Sequence, residues 1–416
     1  MESIKLNHIT KIEGHASLLL EIDGDELKRC ELAAVEGARL FEGIILGKHF
    51  LEVAAITSRI CGICSCSHTM TSLKAIEKAM GITVSKQTRM LRRLMHLGEM
   101  IRSHSTHLYF LALPDYLGFA SAISMAQKHK REFERALRLI YLGNEIVELV
   151  GGRSMHPVTT RVGGFSRIPE QGKIKKLRSS LARAERDAVA TFRLFSRLKY
   201  PAFERPSQYC SIVGTGNQLC FDGRMLDTGE YRKYIVEQVH EYSNSKFSFF
   251  NGREYMVGAM ARYNNRALQL SGDAKKLAKP LPESFSNPFF NNVCQALELV
   301  SCVEEAKELL GLKLRNERQR LKPKPGHGVA ASEAPRGVLI HDYEFDERGY
   351  ITAANIIPPT AHQLARMEED IRNYVALRLS HCSKENLVHE VEKLIRAYDP
   401  CFSCSAHFLK VEIKQT

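Results

Sequence analysis

The stretch RICGICSCSH, residues 59–68, decides how the rest of this sequence is interpreted. It contains the pair Cys61 and Cys64, and a second pair, Cys401 and Cys404, lies in DPCFSCSAH at residues 399–407. Either pair alone fits a redox dithiol or half of a zinc site, whereas two pairs together supply four thiolates for a soft metal. A zinc ribbon usually separates its pairs by ~15 to 20 residues, but 337 positions separate Cys64 from Cys401 (401 − 64). This separation favours a buried centre on which a whole domain is assembled, and it leaves nickel, zinc and iron–sulfur open.

The composition is typical of a globular chain. The 416 residues are 44% hydrophobic and 25% charged, near the averages for such proteins. No apolar run reaches the ~18 residues that a membrane-spanning helix needs, and residues 1–26 lack the apolar centre of a secretory signal. We therefore expect a cytoplasmic protein without a membrane span, whose eleven cysteines are reduced and have chemical roles.

The charge balance raises the question of an acidic partner. Fifty-nine Lys and Arg against 47 Asp and Glu give a net charge of +12. The basic residues are dispersed, and no aromatic residues interleave with the densest stretches, residues 173–178 and 315–324, as a nucleic-acid platform requires. We therefore expect no nucleic-acid partner, and a zinc-binding nucleic-acid protein is a minor alternative.

Hydrophobic periodicity predicts an α+β fold that is mainly α. Alternating residues 4–22, a turn at 23–25 and residues 27–35 predict a hairpin at the amino end, and a second hairpin is predicted at 336–343 and 350–357. Helical spacing begins near residue 41. The predicted long helices cover residues 85–113, 124–149, 173–195, 231–248, 361–380 and 384–397, and the predicted loops cover 283–288 and 323–328. One large domain, residues 1–407, would thus have a long-helix core and small antiparallel sheets near the amino end and around residues 336–357.

The two cysteine motifs, Arg-x-Cys-Gly-x-Cys-x-x-x-His and Asp-Pro-Cys-x-x-Cys-x-x-His, resemble those of the large, catalytic subunit of nickel–iron hydrogenases. Other blocks look similar and follow the family's order, so the resemblance covers nearly the whole chain: KIEGH at 11–15, RLFE at 39–42, GGRSMHP at 151–157, EAPRG at 333–337 and PPT at 358–360. The sequence YDPCFSCS at 398–405 resembles that of the cytoplasmic branch, such as archaeal sulfhydrogenases linked to nicotinamide cofactors. The related cofactor-420-reducing and membrane-associated energy-converting branches stay open as alternatives. The implied activity is the reversible, heterolytic cleavage of dihydrogen into protons and electrons.

The resemblance also implies a set of metals. Cys61 and Cys401 would be terminal ligands of nickel, while Cys64 and Cys404 would bridge nickel to an iron that carries cyanide and carbon monoxide. A separate hard cation, magnesium or iron, would be bound by the ligands Glu42, the carbonyl of Ile356 and the ring of His407.

Catalytic roles are carried over in the same way. Glu13 would accept the proton from the sulfur of Cys401, and the guanidinium of Arg336 would lie over the open coordination position. Without the resemblance, Glu13 would be interpreted as a surface carboxylate and Arg336 as a solvated or ion-paired side chain.

Residues around the centre are implied as well. Thr360 and the backbone near Pro335 and Arg336 would hydrogen-bond the cyanides, because an anionic ligand in a dry pocket needs fixed donors. The resemblance further implies that Asp399 and Asp115 anchor Arg336 and that His68 lies beside the bridging thiolates. A lone Asp or His is otherwise more often structural.

The tail at residues 408–416 points to a precursor. In the family an endopeptidase removes a short extension after the histidine of the last motif, so the processing site would lie between His407 and Phe408. We expect maturation chaperones for nickel and iron insertion as partners of such a precursor, whose metals need not yet be present. We also expect its carboxyl segment to be free, with Cys401 and Cys404 away from the first pair. The alternative is a lineage that never trims its tail.

The remaining cysteines are scattered without iron–sulfur spacing: Cys30, Cys66, Cys210, Cys220, Cys294, Cys302 and Cys382. The sequence therefore predicts no iron–sulfur clusters in this chain that could carry electrons away from the metals. The resemblance thus implies an iron–sulfur small subunit as the permanent partner. Two alternatives stay open at this point: a structural zinc protein, and a non-catalytic scaffold like the respiratory complex I subunit of the same ancestry, although that relative lacks the four cysteines.

Overall fold

The structure is a computed structural model that describes residues 2–37, 39–214, 218–268, 270–311, 314–315, 317, 322 and 324–406. The strands are β1 (Glu2–Leu6), β2 (Ala16–Asp23), β3 (Glu26–Ala34), β4 (Thr160–Arg161), β5 (Gly164–Phe165), β6 (Gln208–Val213), β7 (Gln218–Phe221), β8 (Arg224–Asp227), β9 (Ile235–Val239), β10 (Lys246–Phe250), β11 (Tyr255–Met256), β12 (Gly326–Ala334), β13 (Gly337–Phe345) and β14 (Ile351–Ile357).

The α-helices are α1 (Phe41–Ile45), α2 (Phe50–Thr57), α3 (Ser65–Ala79), α4 (Lys86–Thr106), α5 (Leu113–Leu117), α6 (Ala122–Ala126), α7 (Lys130–Gly151), α8 (Gln171–Phe195), α9 (Ala259–Asn264), α10 (Gly272–Ala278), α11 (Asn291–Leu309), α12 (Pro359–Arg378), α13 (Lys384–Ala397) and α14 (Phe402–Ser405). A π-helical turn, His107–Ala112, joins α4 to α5, and short 3-10 turns cover Ser58–Ile60, Thr228–Lys233 and Pro288–Phe290.

Four long helices, α4, α7, α8 and α11, share the largest hydrophobic core. The hydroxyl of Ser85 accepts a hydrogen bond from the amide of Thr88 (3.0 Å) and so caps the start of α4. Glycines let α4 and α7 approach closely, since a Cβ on Gly143 would lie 2.5 Å from the carbonyl oxygen of Gly98. Any larger residue there would push the two helices apart.

The strands of the described residues form small sheets. The antiparallel sheet β1-β2-β3 packs with α12 and α13 around a second core. The antiparallel sheet β12-β13-β14 lies against α3, and a Cβ on Gly328 would be only 2.1 Å from the carbonyl oxygen of Ala75. The third group of strands, β11-β6-β7-β8, includes one parallel pair, β11 with β6. The α+β, mainly α prediction is confirmed.

The predicted helix at 231–248 is wrong. A 3-10 turn ends at Lys233, and β9 and β10 follow as an antiparallel pair that aligns Phe250 with Ile235. Aromatic packing decides this, because the ring of Phe250 stacks on Phe221 with centroids 3.6 Å apart. The predicted loop at 323–328 is also partly wrong, since β12 begins at Gly326.

Within the described part of the chain, we find no helix that is both long enough and apolar enough to span a membrane. A third core, built by α1, α2, α3 and β12–β14, encloses the region where the two cysteine motifs meet. Its buried members include Cys61, Cys64, Cys401 and Cys404.

Candidate metal centre

The four cysteines of the two motifs converge on one point. Their sulfur atoms all lie within 4.8 Å of one another. The sulfur–sulfur distances are 3.6 Å for Cys61 and Cys401, 3.1 Å for Cys64 and Cys404, and 2.6 Å for Cys401 and Cys404. Each residue is at most 3% exposed. The expectation that the carboxyl pair lies apart from the first pair is therefore wrong for this structure, because Cys401, Phe402, Cys404 and Ala406 are buried in the core.

The first pair is positioned by the start of a helix. Cys61 has an extended backbone after the 3-10 turn, and Cys64 immediately precedes α3, so its thiol lies at the positive end of the helix dipole. The carboxylate of Glu99 in α4 accepts hydrogen bonds from the amides of Cys66 (2.7 Å) and Ser67 (3.0 Å). Glu99 thus fixes the first turn of α3.

The second pair is held by backbone contacts with the amino end. The amide of Phe402 donates to the carbonyl of Glu13 (3.0 Å). Gly14 lies against this segment with a φ of +79°, and a Cβ there would lie 2.6 Å from the amide nitrogen of Ser403. The guanidinium of Arg39 donates to the carbonyls of Ile60 (2.6 Å) and Ser403, so it ties the two motifs together.

Glu13 faces the cluster directly. Its Oε2 accepts hydrogen bonds from the sulfur of Cys401 (2.9 Å) and from the amide of Ser403 (3.3 Å). Burial and the charge of Cys61 raise the pKa of Glu13, an effect that Arg336 and these hydrogen bonds oppose in part. A carboxyl group with a raised pKa, placed beside a thiol, is suited to exchange a proton with it.

The donor set fits a soft metal. Hydrogen bonds from the thiols of Cys401, Cys404 and Cys64 lower the pKa of Cys61 well below its ordinary value, whereas burial raises the pKa of Cys401 and of Cys404, so the cluster favours one thiolate, at Cys61. Four such sulfur donors suit nickel, and equally zinc or iron, on chemical grounds alone.

Arg336 closes one side of the cluster. It is 3% exposed, and its Nε donates to Oδ1 of Asp399 (3.0 Å). Its Nη1 is buried and has no hydrogen-bond partner among the described residues. Such an orphaned donor fits a site that receives an additional acceptor.

Most of the chain matches one family model. Residues 39–144 and 220–407, which contain both cysteine pairs, match the model described as nickel-dependent hydrogenase. The chain belongs to the nickel-dependent hydrogenase family. Within it the chain is a large, catalytic subunit, so this protein is an oxidoreductase that acts on dihydrogen.

Individual hydrogenases agree with this assignment. Sulfhydrogenase 1 subunit alpha of Pyrococcus furiosus is 38% identical and covers 98% of each chain. Sulfhydrogenase 2 subunit alpha of the same organism is 34% identical over 98% of this chain and 100% of its own length. The crystal structure of an NAD+-reducing NiFe hydrogenase in the H2-reduced state matches with a TM-score of 0.88 at 26% identity, covering 98% of this chain and 100% of that one. The resemblance to the large subunit of nickel–iron hydrogenases is confirmed.

The role that the family resemblance implied for Asp115 is wrong in this hydrogenase. It was predicted to anchor Arg336 together with Asp399, but its carboxylate binds Arg396 (2.6 Å) and Lys11. Arg396 in turn donates from Nε to the carbonyl of Thr10 (2.9 Å). Asp115, in α5, therefore supports the segment that leads to Glu13, because its two partners are Lys11 of that segment and Arg396, which holds the carbonyl of Thr10.

Other predicted residues lie around the cluster. Oγ1 of Thr360, which is fully buried, accepts a hydrogen bond from the amide of Cys401 (2.7 Å). His68 lies one turn after Cys64 on α3, and its Nδ1 is 3.1 Å from Nε2 of His341. Pro335 and Arg336 form the turn between β12 and β13.

The predicted hard-cation site is only partly described. Oε1 of Glu42 accepts a hydrogen bond from the amide of Ile356 (2.9 Å) and lies 3.5 Å from Nζ of Lys246. His407, the third predicted ligand, and Phe408, on the other side of the predicted processing site, lie outside the described residues.

Sequence reasoning missed several residues that hold this site together. Arg102 in α4 donates to the carbonyls of Ile63 (2.6 Å) and Ser154, and Arg39 and Glu99 act similarly. Arg39 begins the RLFE block, so a signal existed for it, whereas Glu99 and Arg102 belong to no quoted motif.

A cavity of about 740 Å³ lies elsewhere, between α3, α4, α11 and β12. Its lining includes Lys74, His96 and Ser332 but none of the four cysteines. The sulfur cluster, rather than this cavity, therefore marks the centre of the hydrogenase.

Proposed function

We propose that this subunit binds nickel through Cys61, Cys64, Cys401 and Cys404, and iron through Cys64 and Cys404, with cyanide and carbon monoxide on the iron. The observation that carries the proposal is the convergence of four buried sulfurs, within 4.8 Å, from opposite ends of the chain. When bound, the nickel–iron group supplies the Lewis acidity and redox chemistry for the heterolytic cleavage of dihydrogen.

Glu13 accepts the proton that leaves the cluster. The 2.9 Å contact between Cys401 Sγ and Glu13 Oε2 supports this, because a proton acceptor must be within hydrogen-bond reach. Since burial raises the pKa of Glu13, its carboxyl group can hold the proton before passing it outward.

Arg336 and Thr360 contact the diatomic ligands and the reacting gas. The buried, partnerless Nη1 of Arg336 is available to polarise dihydrogen or to donate to cyanide. Oγ1 of Thr360 already accepts from the amide of Cys401, so its own hydrogen is free to be donated to a second cyanide. Backbone groups near Pro335 and Arg336 complete this set of donors.

Asp399 and His68 orient the groups beside the metals. Asp399 binds Nε of Arg336 on one oxygen and Nε2 of Gln295 on the other, at 3.0 Å each, which fixes the guanidinium. His68, whose ring is hydrogen-bonded to His341, lies one turn after Cys64 on α3 and would orient the metal group that Cys64 holds.

A hard cation, magnesium or iron, binds Glu42, the carbonyl of Ile356 and His407. The short contact between Glu42 and the amide of Ile356 supports this grouping, since it brings the carboxylate to the β14 backbone. Oxygen ligands of this kind suit magnesium, which retains waters when bound.

An iron–sulfur small subunit covers an apolar patch beside the first motif. We define the patch as the exposed apolar side chains of α1 and its C-cap, of α2 and of the segments at residues 155–158 and 350, which are 40–57% exposed: Ile44, Leu46, Leu51, Met155, Val158 and Tyr350. The sulfur of Met155 would lie 3.7 Å from a Cβ on Gly62, between Cys61 and Cys64, so the patch adjoins the centre that releases electrons. An exposed apolar surface of this kind is typical of a permanent interface.

The sequence corresponds to a precursor in which residues 408–416 are removed after His407. Nickel- and iron-insertion chaperones and a carboxyl-terminal endopeptidase act on it in the cytoplasm. Mass spectrometry of the protein from its native host tests this, and a mature chain that retains Phe408 in an active enzyme contradicts it.

The metal assignment is tested by elemental analysis together with infrared spectroscopy of the purified complex. We expect nickel and iron, with bands of iron-bound cyanide and carbon monoxide. Cys61→Ser is expected to lose nickel and hydrogen uptake, whereas Cys66→Ala, which alters a buried cysteine outside the cluster, keeps both. Zinc alone in an active complex, or full activity in Cys61→Ser, contradicts the proposal.

A further inference from the structure

Arg262, in α9, uses all of its side-chain N–H donors inside the protein. It is 3% exposed. Its Nε and Nη2 donate to the two oxygens of Glu298 (2.7 and 2.6 Å), and Nη1 donates to Glu333 (2.7 Å). The remaining two bonds reach the carbonyls of Ala334 (3.3 Å) and Pro335 (3.0 Å). A guanidinium has five N–H groups, so this one is fully satisfied.

The two carbonyl contacts fall directly before Arg336. The peptide units of Ala334 and Pro335 lead into the β12–β13 turn, and Arg262 is therefore bonded to the backbone that carries Arg336. On the other side of the turn, a Cβ on Gly258 would lie 3.2 Å from the carbonyl oxygen of Arg336. The turn is thus enclosed by the segment that begins α9.

The partners of Arg262 are themselves fixed. Glu298, in α11, also lies 2.9 Å from Nε2 of His104 in α4. Glu333 accepts from the amide of Ile212 in β6 (2.6 Å) with its other oxygen. Arg262 consequently links the turn to three elements of the rigid core, and none of these contacts belongs to the cysteine cluster.

We propose that Arg262 is a positioning residue that fixes the backbone before Arg336 and thereby holds the Arg336 guanidinium beside the cysteines. Asp399 fixes the side chain of Arg336, and Arg262 fixes its main chain. The inference rests on the proposed role of Arg336. Lysine cannot replace Arg262, because an ammonium has three donors and no planar fork with which to bind Glu298 and both carbonyls at once.

The test compares Arg262→Lys with Arg92→Lys in the purified, metal-loaded complex. Arg92 is a matched control: it is 5% exposed, binds both oxygens of Glu77 (2.7 and 2.6 Å) and donates to the carbonyl of Arg161 (3.1 Å). Amide hydrogen exchange of residues 333–337 is the readout that does not depend on turnover. The second readout is kcat and KM for dihydrogen, per nickel bound.

We expect faster exchange at 333–337 and a fall in kcat of ~100-fold in Arg262→Lys, with little change in KM, because a displaced group harms the reaction more than binding. Arg92→Lys is expected to change neither readout. Equal exchange and equal kcat in the two variants overturns the inference. If Arg262→Lys does not accumulate, the triple variant Arg262→Met, Glu298→Gln and Glu333→Gln, which removes the cation and both of its carboxylate partners, is measured by the same criteria.

Arg336→Lys separates this inference from the proposed function. If Arg336→Lys retains full turnover, the role of Arg336 itself is wrong. If Arg336→Lys is inactive while Arg262→Lys behaves like Arg92→Lys, only the positioning role of Arg262 is wrong.

Discussion

The sulfur of Cys401 lies 2.9 Å from Oε2 of Glu13, although the two residues are 388 positions apart in the chain. Their backbones are paired as well, through a parallel bridge between the two residues and the bond from the amide of Phe402 to the carbonyl of Glu13. The proposed proton donor and acceptor are therefore held together by the main chain.

Glu13→Gln is expected to lower hydrogen turnover by a factor of ~10² to 10⁴, because an amide can accept the same hydrogen bond but cannot take the proton. The measurements are hydrogen uptake and deuterium exchange with water, both per nickel bound. Glu241→Gln, an exposed carboxylate, is the control and should match the wild type. Unchanged exchange in Glu13→Gln would show that the proton leaves by another group.

Gly14→Ala is expected to reduce turnover ~10- to 100-fold, since its Cβ would lie 2.6 Å from the amide nitrogen of Ser403 and displace Glu13 from Cys401. Gly24 also has a positive φ, +59°, but a Cβ there meets nothing within 4 Å. Gly24→Ala should therefore have only the backbone penalty of about 1 kcal/mol and keep full turnover. Thermal unfolding and hydrogen uptake distinguish the two, and equal turnover would contradict the close approach at Gly14.

The lowered pKa of Glu298 predicts that the stability of the folded protein depends on pH. Burial alone would raise its pKa, but Arg262 and His104 lower it to about 2, from an ordinary value of 4.5. The stabilisation is complete above pH 4.5, where the unfolded chain is also ionised, and is lost as the pH falls toward 2. The shift corresponds to ~3 kcal/mol.

Glu298→Gln should accordingly be less stable than the wild type at neutral pH, with a difference that shrinks between pH 4.5 and 2. Denaturant unfolding at several pH values measures this difference. Glu283→Gln is the control, because that side chain is 91% exposed and should show no such trend. A constant difference across the whole range would be inconsistent with the lowered pKa.

The apolar patch predicts where the small subunit binds. Leu51→Lys places a charge on a side chain that is 57% exposed in the patch, and it should weaken association more than ~30-fold, because the interface would bury that charge without a partner. Ile123→Lys is the matched control, since Ile123 is 80% exposed but lies outside the patch. Co-purification from the native host is the measurement. Retention of the partner by Leu51→Lys would move the interface elsewhere.

Local patterns predicted the parts of the fold that local physics determines. Three of the predicted helices, at residues 85–113, 173–195 and 384–397, correspond to α4, α8 and α13. The two predicted hairpins correspond to β2–β3 and β13–β14. Strand β12 was missed because Gly326 and Gly328 look like loop residues in sequence. Their actual role is close contact with α3, where Cβ atoms would overlap the carbonyls of Ala79 and Ala75. That reason exists only in the folded protein.

The candidate site, like the fold, contains residues that could be predicted from the sequence and residues that could not. The cysteine pairs could be found because two-residue spacing is visible in sequence, and the family resemblance supplied the other predicted site residues. Asp115 was assigned to the wrong arginine because proximity to a site says nothing about which cation a carboxylate binds. Arg262 could not be found at all, since its partners Glu298, Glu333 and Pro335 meet it only through tertiary packing.

The 340 positions between Cys61 and Cys401 have a consequence for biosynthesis. At ~5 to 20 residues per second, a ribosome needs roughly 20 to 70 s to travel from the first of these codons to the last. A nascent chain can offer half of the donors during that interval but never the full set. The four-sulfur site can therefore assemble only after translation has passed Cys404.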